Sequence, residues 1–219
     1  MNHLKNEDGN ATFYMIWLLG IVALIFLIVL NLVKVYVVKE HANLSAEQAA
    51  IAGTATLLTY TERAVDEVDN HPVMTAERVA TGKKKLSKLV KDKQQNYIDY
   101  QNMDQSTAYI KAINDVIPAK MNENPMLENL IRNKFRGELG HSIWDLQMKV
   151  GPTIQEMIAK NGGNTTNTEI LFSTSKWRLE VKSTVTFKSI SDHKFITNFV
   201  GDVPQKGYGP RLEFLKHIY

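Results

Sequence analysis

This 219-residue chain is predicted to be α+β: a long N-terminal helix, a helical middle region and a small C-terminal antiparallel sheet. Three patterns predict it. Residues 9–33 carry no charge, residues 39–70 are rich in alanine and contain no proline, and past residue 163 the apolar period shortens from helical spacing to strict alternation. The expected segments are a short N-terminus (1–12), a membrane-spanning helix (13–38), a helical stalk (39–70), a mainly helical region (71–162) and a β region (163–219).

Crossing a bilayer takes about 20 mainly apolar residues. Phe13-Tyr14-Met15-Ile16-Trp17 through Ile28-Val29-Leu30 supplies them, with Gly20 and Asn31 as the soft positions. Phe13, Tyr14 and Trp17 at one end and Tyr36 at the other match interfacial aromatic belts. A removable secretory leader has an apolar core of about 7–15 residues and a small-x-small cleavage site. Here Val37-Val38-Lys39-Glu40-His41 follows instead, so a retained anchor is expected. The flanking charges nearly balance, Lys5 and the amino terminus against Glu7 and Asp8 on one side, Lys34 and Lys39 on the other. That count leans slightly towards a cytoplasmic C-terminal part, although large domains cross membranes largely regardless of charge.

Residues 39–70 continue the helix, with Gly53 the one weak point. Val37, Leu44, Ile51, Leu58 and Val65 recur every seven residues and draw an apolar packing stripe, joined by Ala50, Leu57 and Ala64. The companion positions are Glu40, Glu47, Thr54 and Thr61, which argues against a regular two-stranded coiled coil. A helix laid along its own domain or against neighbouring subunits fits better. His71-Pro72 ends it, because proline disfavours helical geometry in the residue before it.

A second helix is expected from an N-cap at Thr75, carrying Val79, Leu86, Leu89 and Val90 on one side. Its other side holds Lys83, Lys84, Lys85, Lys88, Lys91 and Lys93. A solvated face is the ordinary explanation; contact with anionic lipid headgroups or an anionic wall polymer, through Lys84, Lys88 and Lys91, is the functional one. Tyr109, Ile110, Ile113, Val116 and Ile117 mark a helix before Pro118, and Asn124-Pro125 opens another over residues 126–135. Gly151-Pro152 is expected to separate helices over 143–150 and 153–160, and residues 161–166 to form a flexible link. Trp177, Leu179, Val181, Val185 and Phe187 then alternate with polar residues as a half-buried strand, with partners over 169–173 and 194–200. Gly207-Tyr208-Gly209-Pro210 reads as a turn before a terminal element, residues 211–218, whose type the pattern does not decide.

A net charge of +3 is too mild to nominate nucleic acid, and the absence of cysteine excludes disulfides, thiolate metal sites and thiol chemistry. Six scattered histidines form no HExxH motif and no i, i+4 pair, and neither a nucleophile elbow nor a dinucleotide loop is present. The expectation is a protein without enzymatic activity, cofactor, metal or small-molecule substrate. Trp144 and Trp177 are expected to anchor the core. Asn43-Leu44-Ser45 and Asn164-Thr165-Thr166 match glycosylation acceptor patterns.

Gly9-Asn10-Ala11-Thr12 before the apolar run, and Ser45-Ala46-Glu47-Gln48-Ala49-Ala50-Ile51-Ala52-Gly53 after it, resemble the N-terminal region of TadE/TadG-like proteins. These are minor pilins, or pseudopilins, of the tight-adherence (Flp-type) pilus machinery. The resemblance covers roughly residues 9–60. It implies a pilin-like fold, a cytoplasmic N-terminus, an extracytoplasmic C-terminal domain in the cell membrane, and partners among the lipid bilayer and other pilus-assembly subunits. It also marks Gly9 and Asn10 as a processing site. Tyr14 stands where the family's processed members carry glutamate, which fits an uncleaved accessory protein at least as well. The alternative is an extracytoplasmic sensory or ligand-binding domain on an anchor, for which residues 1–12 offer no output domain.

Overall fold

The computed structural model describes residues 8–123, 125–186 and 202–219. Helix α1 (Asp8–Asp69) is a single helix of 62 residues, about 93 Å long at 1.5 Å per residue. Its two halves have different surroundings. From Ala11 to Val29 every side chain is exposed, whereas from Ala42 onward one face is buried in the domain. Residues 39–70 are therefore the spine of the domain rather than a free stalk.

The buried face is built from small residues: Ala42, Ala46, Ala49, Ala50 and Gly53, then Leu57, Ala64 and Val68. Thr54 and Thr61 sit on it too, and their hydroxyls donate to the carbonyls of Ala50 and Leu57 at 2.8 Å, so neither is left unpaired. The seven-residue stripe follows a different line. A seven-residue repeat lags a straight helix by about 20° per heptad, hence about 80° from Val37 to Val65. Accordingly Val65 is buried and Leu58 half-buried, while Ile51, Leu44 and Val37 are 49%, 44% and 50% exposed.

Strands β1 (Asn164–Ser173), β2 (Arg178–Thr186) and β3 (Asp202–Arg211) form an antiparallel sheet in the order β1-β2-β3. Leu179 and Val181 are buried, as the alternation predicts. Gly207 to Pro210 are part of β3 and not a turn, a correction with a tertiary cause. A Cβ on Gly207 would lie 2.1 Å from the carbonyl carbon and oxygen of Ala46, and one on Gly209 2.3 Å from the Thr54 hydroxyl. The strand rests on the helix backbone, so its glycines answer to close approach. The link before the sheet is also shorter than expected, since β1 already begins at Asn164. The partner strand expected over 194–200, and Phe187, lie outside the described residues.

The helical region holds α2 (Pro72–Thr81), α3 (Leu86–Gln101), α4 (Gln105–Met121), α5 (Pro125–Leu139) and α6 (Ile143–Lys160). His71, not Thr75, caps α2, with Pro72 in its first turn. The helix stops at Gly82, which is left-handed (φ 67°). Val79 and Leu86 consequently belong to different helices, and Val79 is exposed while Leu86 and Val90 are buried. Asp69 ties these pieces together: its buried carboxylate accepts from the backbone N–H of Leu86 (2.6 Å) and Ser87 (2.9 Å), and Arg78 Nη1 lies 3.5 Å away.

Gly151-Pro152 does not break α6, which runs through it. Pro152 faces solvent, where the Met148 carbonyl it deprives of a partner is open to water. A reciprocal capping box between Ser142 and Asp145 starts this helix. Its buried row is Leu146, Val150, Ile154 and Ile158. Trp144 lies off that row and is 65% exposed, contrary to the expected core position. Trp177 occupies the β1–β2 turn with φ 49° and packs edge-on against Phe172 at 6.2 Å. The terminal element is a short helix, α7 (Leu215–Ile218), which Arg132 and Arg136 hold by the carbonyls of His217 (3.2 Å) and Ile218 (2.9 Å).

Candidate functional site

The largest feature outside the packed core is the projecting half of α1. Among the described residues one helix is long and apolar enough to cross a membrane; its most apolar 18-residue window has mean hydropathy 3.0 and none of it is buried. Residues 13–33 alone span about 31 Å, close to the roughly 30 Å hydrocarbon thickness. The Asn31 side-chain amide donates to the Leu27 carbonyl at 3.1 Å, which reduces what that polar group would cost in lipid. Val37, Leu44 and Ile51 extend the apolar surface beyond the span, on the side of α1 that the domain leaves uncovered. Gly9 and Asn10 fall in the first turn of α1.

The lysines sit at the opposite end. Asp69 binds the start of α3, so the segment from Lys83 to Lys93 lies beside the far end of α1. That end is about 45 Å along the helix from Lys39, counting thirty residues at 1.5 Å each. A bilayer crossed by residues 13–33 would thus be out of reach of these side chains. Lys84 and Lys88 share the Asp92 carboxylate, at 2.6 and 3.2 Å. Those hydrogen bonds hold the Asp92 carboxyl below its ordinary range. Lys91 lines a separate cleft with Glu62, Asp66 and Tyr109.

Between α3 and α4 lies an open cleft of about 500 Å³, lined by Lys84, Asp92, Lys93, Asn96, Asp115, Lys120 and Glu123 among others. Glu123 accepts from Lys83 at 2.7 Å and from buried Lys120 at 2.8 Å. Burial raises the Glu123 pKa, but the two ion pairs together outweigh it and leave the carboxyl lowered. Tyr97 hydrogen-bonds Asp115, and burial followed by that bond pushes its phenol up to about 12. Lys93 and Lys111 stand over its ring, 5.2 and 4.5 Å from the centroid. Among the described residues no group of three or more histidine, aspartate or glutamate side chains is placed to hold a metal.

One surface escaped the sequence reading. Trp144, Met148 and Pro152 on α6 and Ile170 on β1 line a groove of about 320 Å³, where Gln147 donates to the Ile170 carbonyl at 3.0 Å. A second row spaced by four residues, 144-148-152, beside the buried row 146-150-154-158, was the available signal.

These features define a class, a helix-and-sheet domain carried on a single projecting apolar helix. No family model, curated protein or solved structure matches the chain.

Proposed function

We propose that this chain is a single-pass, membrane-anchored minor pilin or pilus-assembly component of a tight-adherence (Flp-type) system. Its N-terminus is cytoplasmic and its domain extracytoplasmic, and it acts by protein–protein packing through α1. The observation that carries this proposal is the division of α1 within one uninterrupted helix: a wholly exposed apolar half, then a half embedded in a domain with an antiparallel sheet. A subunit with that build can sit in lipid before assembly and bury the same surface against neighbours afterwards. The stripe Val37, Leu44 and Ile51, uncovered among the described residues, carries the apolar surface past the proposed membrane span and offers a neighbouring subunit a surface to cover.

The alanine-rich motif behind the family resemblance has its own structural cause here, since Ala46, Ala50 and Gly53 let β3, β2 and α6 approach the helix. It therefore adds less weight to the proposal than the division of α1 does.

The test is the double substitution Leu44→Asp with Ile51→Asp, in cells that build the filament. Both side chains are exposed, so the domain should keep its thermal midpoint. Surface filaments should be lost. Normal piliation by a folded, membrane-inserted double variant would sink the proposal.

A further inference from the structure

The densest run of positive charge in the sequence is residues 83–93, where Glu123 pairs with Lys83 and Glu62 and Asp66 share a cleft with Lys91. Residues 82–123 hold eight lysines and five acidic residues, a balance of +3 that equals the net charge of the whole chain, so the remaining residues are neutral in sum. Within them, residues 83–93 carry six lysines and a single acid, Asp92. Lys84 and Lys88 both bind that carboxylate, which fixes the two ammonium groups side by side while cancelling only one of their charges. The backbone N–H groups that open α3 are already taken by Asp69, so an anion arriving here would meet lysine side chains and not a helix terminus.

We infer that this ridge, the linker before α3 together with the exposed face of α3, is a contact surface for a linear phosphate polymer lying beyond the membrane surface. Lysines without arginine supply hydrated point charges that attract a flexible polyanion without demanding one bidentate geometry. The ridge lies about 35–45 Å along α1 from Lys39, since Lys91 stands beside Glu62 and Asp66 and the start of α3 meets Asp69. Lipid headgroups of the bilayer crossed by α1 are therefore not its ligand, whereas a polymer extending from that surface is within reach. Single-stranded nucleic acid fits less well, because it is held by stacking on aromatic platforms. Among the described residues none that lines the adjoining cleft is aromatic; on α3, Tyr97 is buried under Lys93 and Lys111, and exposed Tyr100 is a single ring about 10 Å along the helix past Lys93, not a row of platforms. The inference rests on the membrane anchoring proposed above but not on filament assembly, and polyphosphate binding is read whether or not filaments form.

The test uses the full chain in nanodiscs of zwitterionic phosphatidylcholine, with fluorescent long-chain inorganic polyphosphate as probe and poly(dT) as a second probe. The ridge variant is Lys84→Gln with Lys85→Gln and Lys88→Gln; the control is Lys160→Gln with Lys182→Gln and Lys206→Gln. Both remove three charges, and both should keep the thermal midpoint. The ridge variant should bind polyphosphate at least about tenfold more weakly, with the log–log salt slope reduced by about 2, while the control stays within about twofold. Equal losses in the two variants, or no saturable binding at about physiological salt, would overturn the inference. So would poly(dT) binding more than about tenfold tighter than polyphosphate.

Discussion

Replacing Gly207 by alanine tests the packing that joins the sheet to α1. The added methyl would sit 2.1 Å from the carbonyl carbon and oxygen of Ala46 and 2.3 Å from the amide nitrogen of Glu47. Carbon atoms in contact prefer about 3.5–4.0 Å, so β3 must retreat by more than about 1 Å. The obstacle is helix backbone, which cannot swing away like the end of a side chain. Overpacking typically costs about 1–3 kcal/mol, and a gap of 0.5–1 Å already forfeits about a quarter to a half of each dispersion contact along the interface. We expect a loss of about 3 kcal/mol, which in a domain of this size lowers Tm by about 6–12 °C. The assay is thermal unfolding of the full chain in detergent, followed by circular dichroism. Gly137→Ala on the exposed side of α5 is the control, because nothing beyond its chain neighbours lies within 4 Å of a Cβ there and no proline follows it, and its Tm should hold or rise slightly. An unchanged Tm for Gly207→Ala would refute the claim that β3 rests on the α1 backbone.

Two further outcomes are expected. Asp69→Ala should strip the partner from Leu86 N–H and Ser87 N–H, while Arg78 keeps the backbone carbonyl of residue 69 and the Thr75 hydroxyl, cost about 3 kcal/mol, and speed trypsin cleavage in the Gly82–Lys85 linker; unaltered cleavage would show that Asp69 does not hold this junction. Alkaline pH should destabilise the fold. Burial pushes Tyr219 up to about 12, burial and then the Asp115 bond do the same for Tyr97, and burial followed by Glu62 raises Tyr109 as well. Their contribution is complete below the unfolded value of about 10 and fades as pH rises from there through the native values. Near-ultraviolet titration should show a late tyrosine component that vanishes in denaturant, and its absence would contradict the burial of these phenols.

The long helix was legible because lipid and helix geometry each leave a local mark: an uncharged run and a proline-free, alanine-rich continuation. Strand β2 was legible for the same reason, since Leu179 and Val181 alternate with polar neighbours. Strand β3 was not, because Gly207, Gly209 and Pro210 carry turn chemistry locally, while the two glycines are required by a helix more than 150 residues earlier in the sequence. Trp144 misled for a related reason: an aromatic residue beside apolar neighbours looks like core until the helix is rotated against its domain. The basic ridge was visible as a charge run, but its position depends on Asp69 reaching Leu86 and Ser87. The seven-residue stripe was real as a pattern; whether the domain or a partner covers each member depends on the slow drift of that repeat around α1.

Protease shaving of intact source cells tests the proposal that α1 anchors an extracytoplasmic domain. Released peptides are identified by mass spectrometry, with a cytoplasmic protein as integrity control and wall-stripped cells where the wall blocks access. Release of peptides from residues 177–219 with the control intact is the predicted result. Protection of those peptides until the membrane is permeabilised would place the domain inside and contradict the account.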